Sequence, residues 1–327
     1  MDLPLSILDL APVKRTQTIG EAIAASVELA RAAEAGGYRR VWYAEHHNMS
    51  SIASSATSVL IAHVAAHTST IRLGSGGVML PNHSPLTIAE QFGMLAEIHP
   101  GSIDLGLGRA PGTDQATARA MRRDPMAANQ FPEDVLELQA FLGDDSRVPG
   151  VKAIPGRGTH VPLYILGSSL FGAQLAAMIG LPFAFASHFA PTHLLEAAEI
   201  YRTTFRPGPQ LSEPYLMAAV NVVAADTEEE AERQFRLVKR DRIARMYSRG
   251  QERLSDEEAE MILDSGAARQ VEEMVRYSAV GTADACVDYL EQFAAMAEAD
   301  ELITTHQNNE TAGRLRSVEL LAAAAIG

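Results

Sequence analysis

Short apolar segments typical of β-strands alternate along the chain with longer segments that have the spacing of helices. Several of the short segments are apolar at every position, which is the pattern of strands that a parallel sheet buries on both faces. Parallel strands need a crossover connection, and a helical segment follows each predicted strand. The eight predicted strands are Leu5–Ala11, Arg40–Glu45, Ile71–Leu80, Ile103–Gly108, Leu163–Gly167, Phe183–Ser187, Tyr215–Ala225 and Glu301–His306.

The helical segments between these strands have recognisable ends. Thr18 and Glu21 have the spacing of a capping box at the start of the first helix. Ser84 and Pro85 are an N-cap and a first helical residue in their preferred order. The alternation predicts an α/β fold in which residues 1–327 form a single (β/α)8 TIM barrel domain.

Two intervals are longer than a simple crossover, so we expect insertions after strands 4 and 7. Residues 110–161 are rich in proline and glycine, and we expect an excursion that covers the barrel mouth as a lid. Residues 226–300 are charged and have helical spacing, which predicts an added helical segment. A solvated helix pair without a function is the alternative interpretation of this second interval.

Acidic residues outnumber basic ones, 41 to 27, and the net charge of −14 argues against binding to nucleic acid or to an anionic membrane. The single cysteine, Cys286, excludes an intramolecular disulfide and a cysteine-rich metal site. The sequence has no apolar run of about 18 residues and no signal-peptide pattern at its start. We therefore expect a cytoplasmic protein with neither nucleic acid nor membrane as a partner.

Polar residues follow most of the predicted strands at the end where TIM barrels bind their ligands. Histidines are frequent there, but the sequence has no His-x-His or His-Glu-x-x-His spacing, and we predict no metal site. Ser168 and Ser187 also lack the Gly-x-Ser-x-Gly context of a nucleophile. The segments that follow the predicted strands are residues 45–48, 75–78, 81–83, 108–114, 167–169, 187–188 and 306–309.

Two of these segments fit a bound cofactor. Arg109 together with Ser168, Ser169 and the following helix start would suit a phosphate group, although two serines before a helix also suit a simple N-cap. Gly76 and Gly77 lie inside a predicted strand, where glycine often marks the close approach of a ligand. A pair of glycines would let a flat ring lie against the main chain, and a β-bulge is the alternative.

Three segments together resemble the bacterial luciferase-like flavin monooxygenases, and most closely their single-chain luciferase-like oxidoreductases. They are Ala-Glu-His-His at residues 44–47, Ser-Gly-Gly-Val-Met-Leu-Pro at 75–81 and Leu-Gly-Leu-Gly-Arg-Ala-Pro-Gly-Thr at 105–113. Their order, and the helix start at residues 280–282 before the last strand, fit the family along nearly the whole chain. The resemblance implies a (β/α)8 barrel that binds reduced FMN at the carboxyl ends of its strands.

The resemblance also assigns roles to individual residues. It implies a non-proline cis peptide under the flavin ring within Ser75-Gly76-Gly77-Val78, a phosphate contact from Arg109, and a phosphate-binding turn. That turn comprises Ser168 and Ser169, with Gly172 in the following helix. Proton transfer beside the flavin is implied for His46, and Glu45 would orient either His46 or Arg109. Luciferases have a cysteine directly before the phosphate arginine, whereas this chain has Gly108.

The implied function is an FMN-dependent monooxygenase that uses reduced flavin and O2 on a small organic substrate. Because the sequence has no dinucleotide-binding fingerprint, we expect a separate flavin reductase to supply the reduced flavin. A homodimer is implied by the family alone. Two alternatives stay open: an F420-dependent hydride-transfer oxidoreductase on the same barrel, and a flavin-binding protein without catalysis.

Overall fold

Parallel strands form a single sheet in the computed structural model, which describes residues 1–110, 112–124, 126–247 and 253–326. Nine strands lie in these ranges. They are β1 (Leu5–Asp9), β2 (Arg40–Tyr43), β3 (Arg72–Met79), β4 (Ile103–Gly108), β5 (Leu163–Gly167), β6 (Phe183–Phe185), β7 (Leu216–Ala224), β8 (Ser278–Gly281) and β9 (Glu301–His306).

Eight of these strands close into a barrel, which confirms the predicted TIM barrel. The strand order is β6-β5-β4-β3-β2-β1-β9-β7-β8, and β6 also pairs with β7 to close the ring. The remaining strand, β8, lies outside the ring and pairs only with residues Asn221 to Ala224 at the end of β7. It was not predicted, because it has four residues and interrupts a segment with helical spacing.

Helices cover the outside of the barrel. The described residues form α1 (Ile19–Ala35), α2 (Thr57–Ala65), α3 (Pro85–Ile98), α4 (Gln115–Ala120), α5 (Phe131–Leu142), α6 (Leu170–Ile179), α7 (Leu194–Thr204), α8 (Glu228–Met246), α9 (Asp256–Asp264), α10 (Arg269–Met274), α11 (Ala283–Ala297) and α12 (Thr311–Ala325). The predicted capping box of Thr18 and Glu21 is present at the start of α1. In the described ranges, no helix combines the length and the apolar character that crossing a membrane requires.

The inside of the barrel is filled by alternate residues of its strands, as the period of two in a strand requires. Its apolar layer contains Trp42, Tyr164, Met217 and Ile303, with small alanines between them. Below this layer the Arg40 guanidinium is buried and donates hydrogen bonds to Asp104 Oδ2 at 2.8 Å and to Tyr164 Oη at 2.7 Å. This network fills the amino-terminal end of the barrel, so a ligand site belongs at the opposite end.

The two long intervals each combine a barrel helix with additional structure. Within residues 110–161, α5 packs on α3 with Phe131, Val135 and Leu138 buried, as a crossover helix must, whereas α4 has no buried residue. Within residues 226–300, α11 packs against β7, α7 and α12. Helices α8, α9 and α10 form a separate apolar cluster of their own.

Candidate active site at the carboxyl ends of the strands

His46 follows β2 at the mouth of the barrel and has an unpaired ring nitrogen. Its main-chain N–H donates to Ser54 O at 3.0 Å, which fixes the backbone. Its Nδ1 atom is buried and has no hydrogen-bond partner within the described ranges. Burial lowers the pKa of His46, the Glu45 carboxylate opposes this effect, and His47 adds to it. The side chain is therefore a neutral imidazole near pH 7 whose Nδ1 is available to a ligand.

Glu45 is buried beside His46 but binds other groups. Its carboxylate accepts hydrogen bonds from His47 Nε2 at 2.8 Å, from His83 Nε2 at 2.9 Å and from the Met79 main-chain N–H at 3.0 Å. Burial alone would raise the pKa of Glu45, but the bonds from His83 and His47 outweigh burial and lower it.

The contacts of Glu45 correct one expectation from the resemblance. Among the contacts of the described residues, neither the His46 side chain nor Arg109 donates a hydrogen bond to this carboxylate. Glu45 instead joins the turn after β3, which carries His83, to the loop that carries His46. A catalytic role for Glu45 stays a prediction.

The peptide bond between Gly76 and Gly77 is cis, as the resemblance implied. The register between β3 and β4 also shifts between Ser75 and Val78, so the expected β-bulge alternative describes the strand as well.

The two glycines are required by packing inside the barrel. A Cβ atom on Gly76 would lie 2.8 Å from Leu8 Cδ1, and one on Gly77 would lie 2.7 Å from the Gly106 carbonyl oxygen. The absence of side chains at these positions is thus explained without a ligand, and contact with a flat ring stays a prediction. The flanking side chains are also used structurally: Ser75 Oγ donates to Gly106 O at 2.8 Å, and Val78 is buried in the core.

The predicted phosphate site has the composition that an anion requires. Arg109 follows β4 and is exposed, and its guanidinium carbon lies 4.0 Å from the centroid of the Phe171 ring in the first turn of α6. No carboxylate pairs with Arg109 in the part of the chain that the structure describes. Ser168 and Ser169 are exposed, and Ser169 is the N-cap of α6 but makes no side-chain capping bond.

Gly172 lets α6 lie close to the sheet, because a Cβ atom there would be 3.0 Å from the Phe183 ring. The structure thus brings together a guanidinium, two hydroxyls and the free amide groups of a ten-residue helix. These groups are complementary to a phosphate.

A second group of polar residues lies at the mouth and was not among the predicted site residues. His188 follows β6, is 8% exposed, and has a buried Nδ1 without a partner in the described ranges. Its main-chain oxygen accepts a hydrogen bond at 2.7 Å from Asn221 Nδ2 on β7. Burial lowers the pKa of His188 to about 3, with further contributions from Arg242 and His46. The sequence contains His188 directly after a predicted strand, but a single histidine forms no motif.

Arg242 belongs to α8 and extends to the same group. Its Nη2 donates to Asn221 Oδ1 at 3.4 Å, and Thr305 Oγ1 on β9 donates to the same oxygen at 2.9 Å. Residues 226–300 therefore supply the Arg242 side chain to the inner face of the barrel. The alternative interpretation of this interval as a solvated helix pair did not include such a contact.

The model of the luciferase-like monooxygenases matches residues 4–299. The chain belongs to the luciferase-like monooxygenase family. The luciferase-like monooxygenase of Escherichia coli (strain K12) is 45% identical over 320 residues, which cover 97% of this chain and 96% of that protein. The N-acetyl-S-alkylcysteine monooxygenase of Bacillus subtilis (strain 168) is 39% identical over 236 residues, 70% of each chain. Among solved structures, apo-MsnO8 covers 98% of both chains with a TM-score of 0.89 and 35% identity.

Two more distant structures share the fold and carry different cofactors. The oxygenating constituent of 3,6-diketocamphane monooxygenase from Pseudomonas putida, in complex with FMN, has a TM-score of 0.73 at 15% identity and covers 98% of this chain and 97% of its own. An F420-dependent secondary alcohol dehydrogenase with an F420–acetone adduct has a TM-score of 0.70 at 14% identity and covers 99% of both. The expected family is thus confirmed, and the luciferase-like protein is a flavin-dependent oxidoreductase. The two distant structures bind FMN in one case and F420 in the other.

Proposed function

We propose that this luciferase-like protein is a monooxygenase that uses reduced FMN and O2 to oxygenate a small organic substrate at the barrel mouth. The observation that carries the proposal is the pairing of Arg109 with Phe171 beside Ser168, Ser169 and the open start of α6. A guanidinium without a carboxylate partner at a helix start is suited to a phosphate ester.

The residues present fit FMN at both ends of the molecule. Arg109 and the two serines would hold its phosphate, while the unpaired Nδ1 of His46 would face its ring system from β2. When bound, reduced FMN supplies two electrons for the activation of O2 and for the transfer of one oxygen atom to a substrate.

The side chains of the mouth have separate tasks in this proposal. His46, neutral near pH 7, accepts or returns a proton at Nδ1 next to the reacting atoms. Glu45 holds the loop of His46 in place, because its carboxylate accepts hydrogen bonds from His47 and His83. The segment after Arg109 contacts this loop, since the His47 main-chain N–H donates to Gly112 O at 3.3 Å. That segment is suited to cover the site and exclude water.

Reduced flavin has to come from elsewhere, and we propose a separate flavin reductase as the partner. The support is the lack of a dinucleotide-binding fingerprint in the sequence. A homodimer stays a prediction from the family.

The test compares the two cofactor classes with and without oxygen. Protein is mixed with reduced FMN or reduced F420 and a panel of small organic substrates, and the products are analysed by mass spectrometry under ¹⁸O2 and under anaerobic conditions. The proposal expects ¹⁸O in a product with FMN and no turnover without oxygen. Anaerobic turnover with F420 would instead favour hydride transfer, and binding of flavin without turnover of any substrate would favour a non-catalytic protein.

A further inference from the structure

Helix α8 carries six basic residues, and one of them differs from the rest. Five have a carboxylate within 4 Å in the described part of the chain: Arg233, Arg236, Lys239, Arg240 and Arg245. Arg242 has no carboxylate at that distance there. This arginine is also the one that turns away from the outer ion pairs toward the inner face of the barrel.

The surroundings of Arg242 do not neutralise its charge. Its one hydrogen bond among the described residues is the 3.4 Å contact of Nη2 with Asn221 Oδ1, an oxygen that Thr305 also uses. Burial lowers the pKa of Arg242, and no acidic group offsets that effect. Arg242 is half-buried, and a charge partly removed from water is unfavourable unless an opposite charge or several hydrogen bonds compensate it, so a bound anion would be favourable here.

A second unpaired group lies beside Arg242. The His188 ring is more than nine-tenths buried, its Nδ1 has no partner in the described ranges, and its main chain is held by the same Asn221 that contacts Arg242. Arg242 and His46 both contribute to lowering the pKa of His188, in addition to burial. Arg242 and His188 together offer a charge and a neutral hydrogen-bonding nitrogen on either side of Asn221, which contacts both residues.

This position is distinct from the proposed phosphate site. Arg109 follows β4, whereas Arg242 donates to Asn221 of β7. In the ring of eight strands, β5 and β6 separate β7 from β4. An anion at Arg242 would therefore lie at a different side of the barrel mouth from the phosphate.

We propose that Arg242 binds the carboxylate of the organic substrate, so that the substrates of this enzyme are small carboxylic acids whose oxidisable part points toward His46. The statement that the bound acid is a substrate rests on the proposed function. The anion site itself does not depend on turnover. His188 completes the site as a hydrogen-bonding neighbour, and Asn221 is the positioning residue that holds both.

The test uses two probes that differ in a single charge, 3-(benzylthio)propanoate and 3-(benzylthio)propanamide. Their binding to the FMN-loaded protein is measured by isothermal titration calorimetry, and to the flavin-free protein if FMN does not bind. We expect the acid to bind at least about tenfold more tightly than the amide, as a charge-assisted hydrogen bond provides. Arg242→Gln should remove this preference without changing the affinity for FMN or for the amide, and Arg242→Lys should retain part of it.

Arg233→Gln is the matched control, because Arg233 lies on the same helix but is exposed and paired with Glu230 at 2.7 Å. This variant should bind both probes as the wild type does, and circular dichroism should show that each variant is folded. The inference is wrong if the acid and the amide bind equally, if neither binds at millimolar concentration, or if Arg242→Gln weakens FMN instead of the acid. A preference for the acid without oxygenation would refute only the proposed function, and oxygenation without that preference would refute only this inference.

Discussion

Arg109 is a cation whose guanidinium contacts an aromatic ring and no carboxylate in the described part of the chain. If it holds the FMN phosphate, Arg109→Ala removes a charge-assisted hydrogen bond of about 1.5–3 kcal/mol, which corresponds to a roughly 10- to 150-fold loss of FMN affinity. Riboflavin has no phosphate, so its affinity should stay within about twofold. Fluorescence titration of both flavins measures the difference. Arg119→Ala, an exposed arginine of α4, is the control, and an equal loss for both flavins would exclude a phosphate contact.

His46 has a buried ring nitrogen with no hydrogen-bond partner among the residues that the structure describes, and its proposed role is proton transfer. His46→Ala should lower turnover about 10²- to 10⁴-fold, the usual contribution of a general acid or base, while FMN binding is retained. Since burial lowers the pKa of His46 below its ordinary value of 6.5, a wild-type rate that needs the neutral ring should decline only at a pH below that value. His63→Ala alters an exposed histidine of α2 and should leave the rate unchanged. Full activity of His46→Ala would remove this residue from the mechanism.

The glycine pair of β3 belongs to the packing of two neighbouring strands. An alanine at Gly77 would place its Cβ atom 2.7 Å from the main chain of β4. Gly77→Ala should therefore destabilise the barrel by about 1–3 kcal/mol, the usual cost of overpacking. The free energy of unfolding in urea measures this effect.

Gly20 in α1 is the matched control, because a Cβ atom there would have no neighbour within 4 Å. Gly20→Ala should be neutral or stabilise by up to about 1 kcal/mol, since alanine restricts the unfolded chain. Equal effects of the two substitutions would contradict the packing explanation. If a Gly77 variant lost flavin binding, destabilisation of the barrel would explain the loss without a direct contact between Gly77 and the cofactor.

The strands could be predicted from sequence wherever burial on both faces produced a continuous apolar run. The predicted bounds of β4, β5 and β9 agree with the structure, and the others differ at their ends, where loops continue the apolar pattern. Strand β8 has half of its residues partly exposed and lies at the edge beside β7, so the same signal was missing. The helical spacing of α8 likewise does not indicate that Arg242 extends to Asn221 of β7.

The features of the site that could not be predicted depend on contacts between residues that are far apart in the sequence. Glu45 is adjacent to His46 in sequence, which suggested that it orients His46, yet its partner His83 comes from the turn after β3. His188 and Asn221 are joined across β6 and β7 by a hydrogen bond between residues 33 positions apart. Arg109 and Ser168 could be predicted because each directly follows a strand end, where the fold alone determines position.

The charged side chains inside the barrel are paired at one end and lack carboxylate partners at the other, among the described residues. The buried network of Arg40, Asp104 and Glu301 closes the amino-terminal end, with Arg40 Nε 3.0 Å from Glu301 Oε1. Among the described residues, the opposite end has cations without carboxylate partners at two sides of the ring, Arg109 after β4 and Arg242 beside Asn221 of β7. A ligand with two anionic ends, or two anionic ligands, would pair with both of these cations.

Two buried histidines make the stability of the whole molecule sensitive to acid. Burial lowers the pKa of His188 to about 3, with a contribution from Arg242, and that of His306 to about 3, with a contribution from Arg314. In the unfolded chain both rings titrate at about 6.5. Between these values the unfolded state binds more protons than the folded state, so the free energy of unfolding is expected to fall as the pH is lowered from about 6.5 toward about 3.

His188→Gln tests this prediction, because glutamine retains a polar side chain but does not titrate. Each lowered histidine contributes up to about 1.4 kcal/mol per pH unit, so the variant should lose stability less steeply than the wild type by up to that amount. Urea unfolding at a series of pH values measures the slope. His63→Gln alters an exposed histidine and should keep the wild-type slope. If His188→Gln also kept the wild-type slope, His188 would titrate alike in the folded and unfolded states, and its ring would have to be solvated in the folded protein, contrary to its 8% exposure.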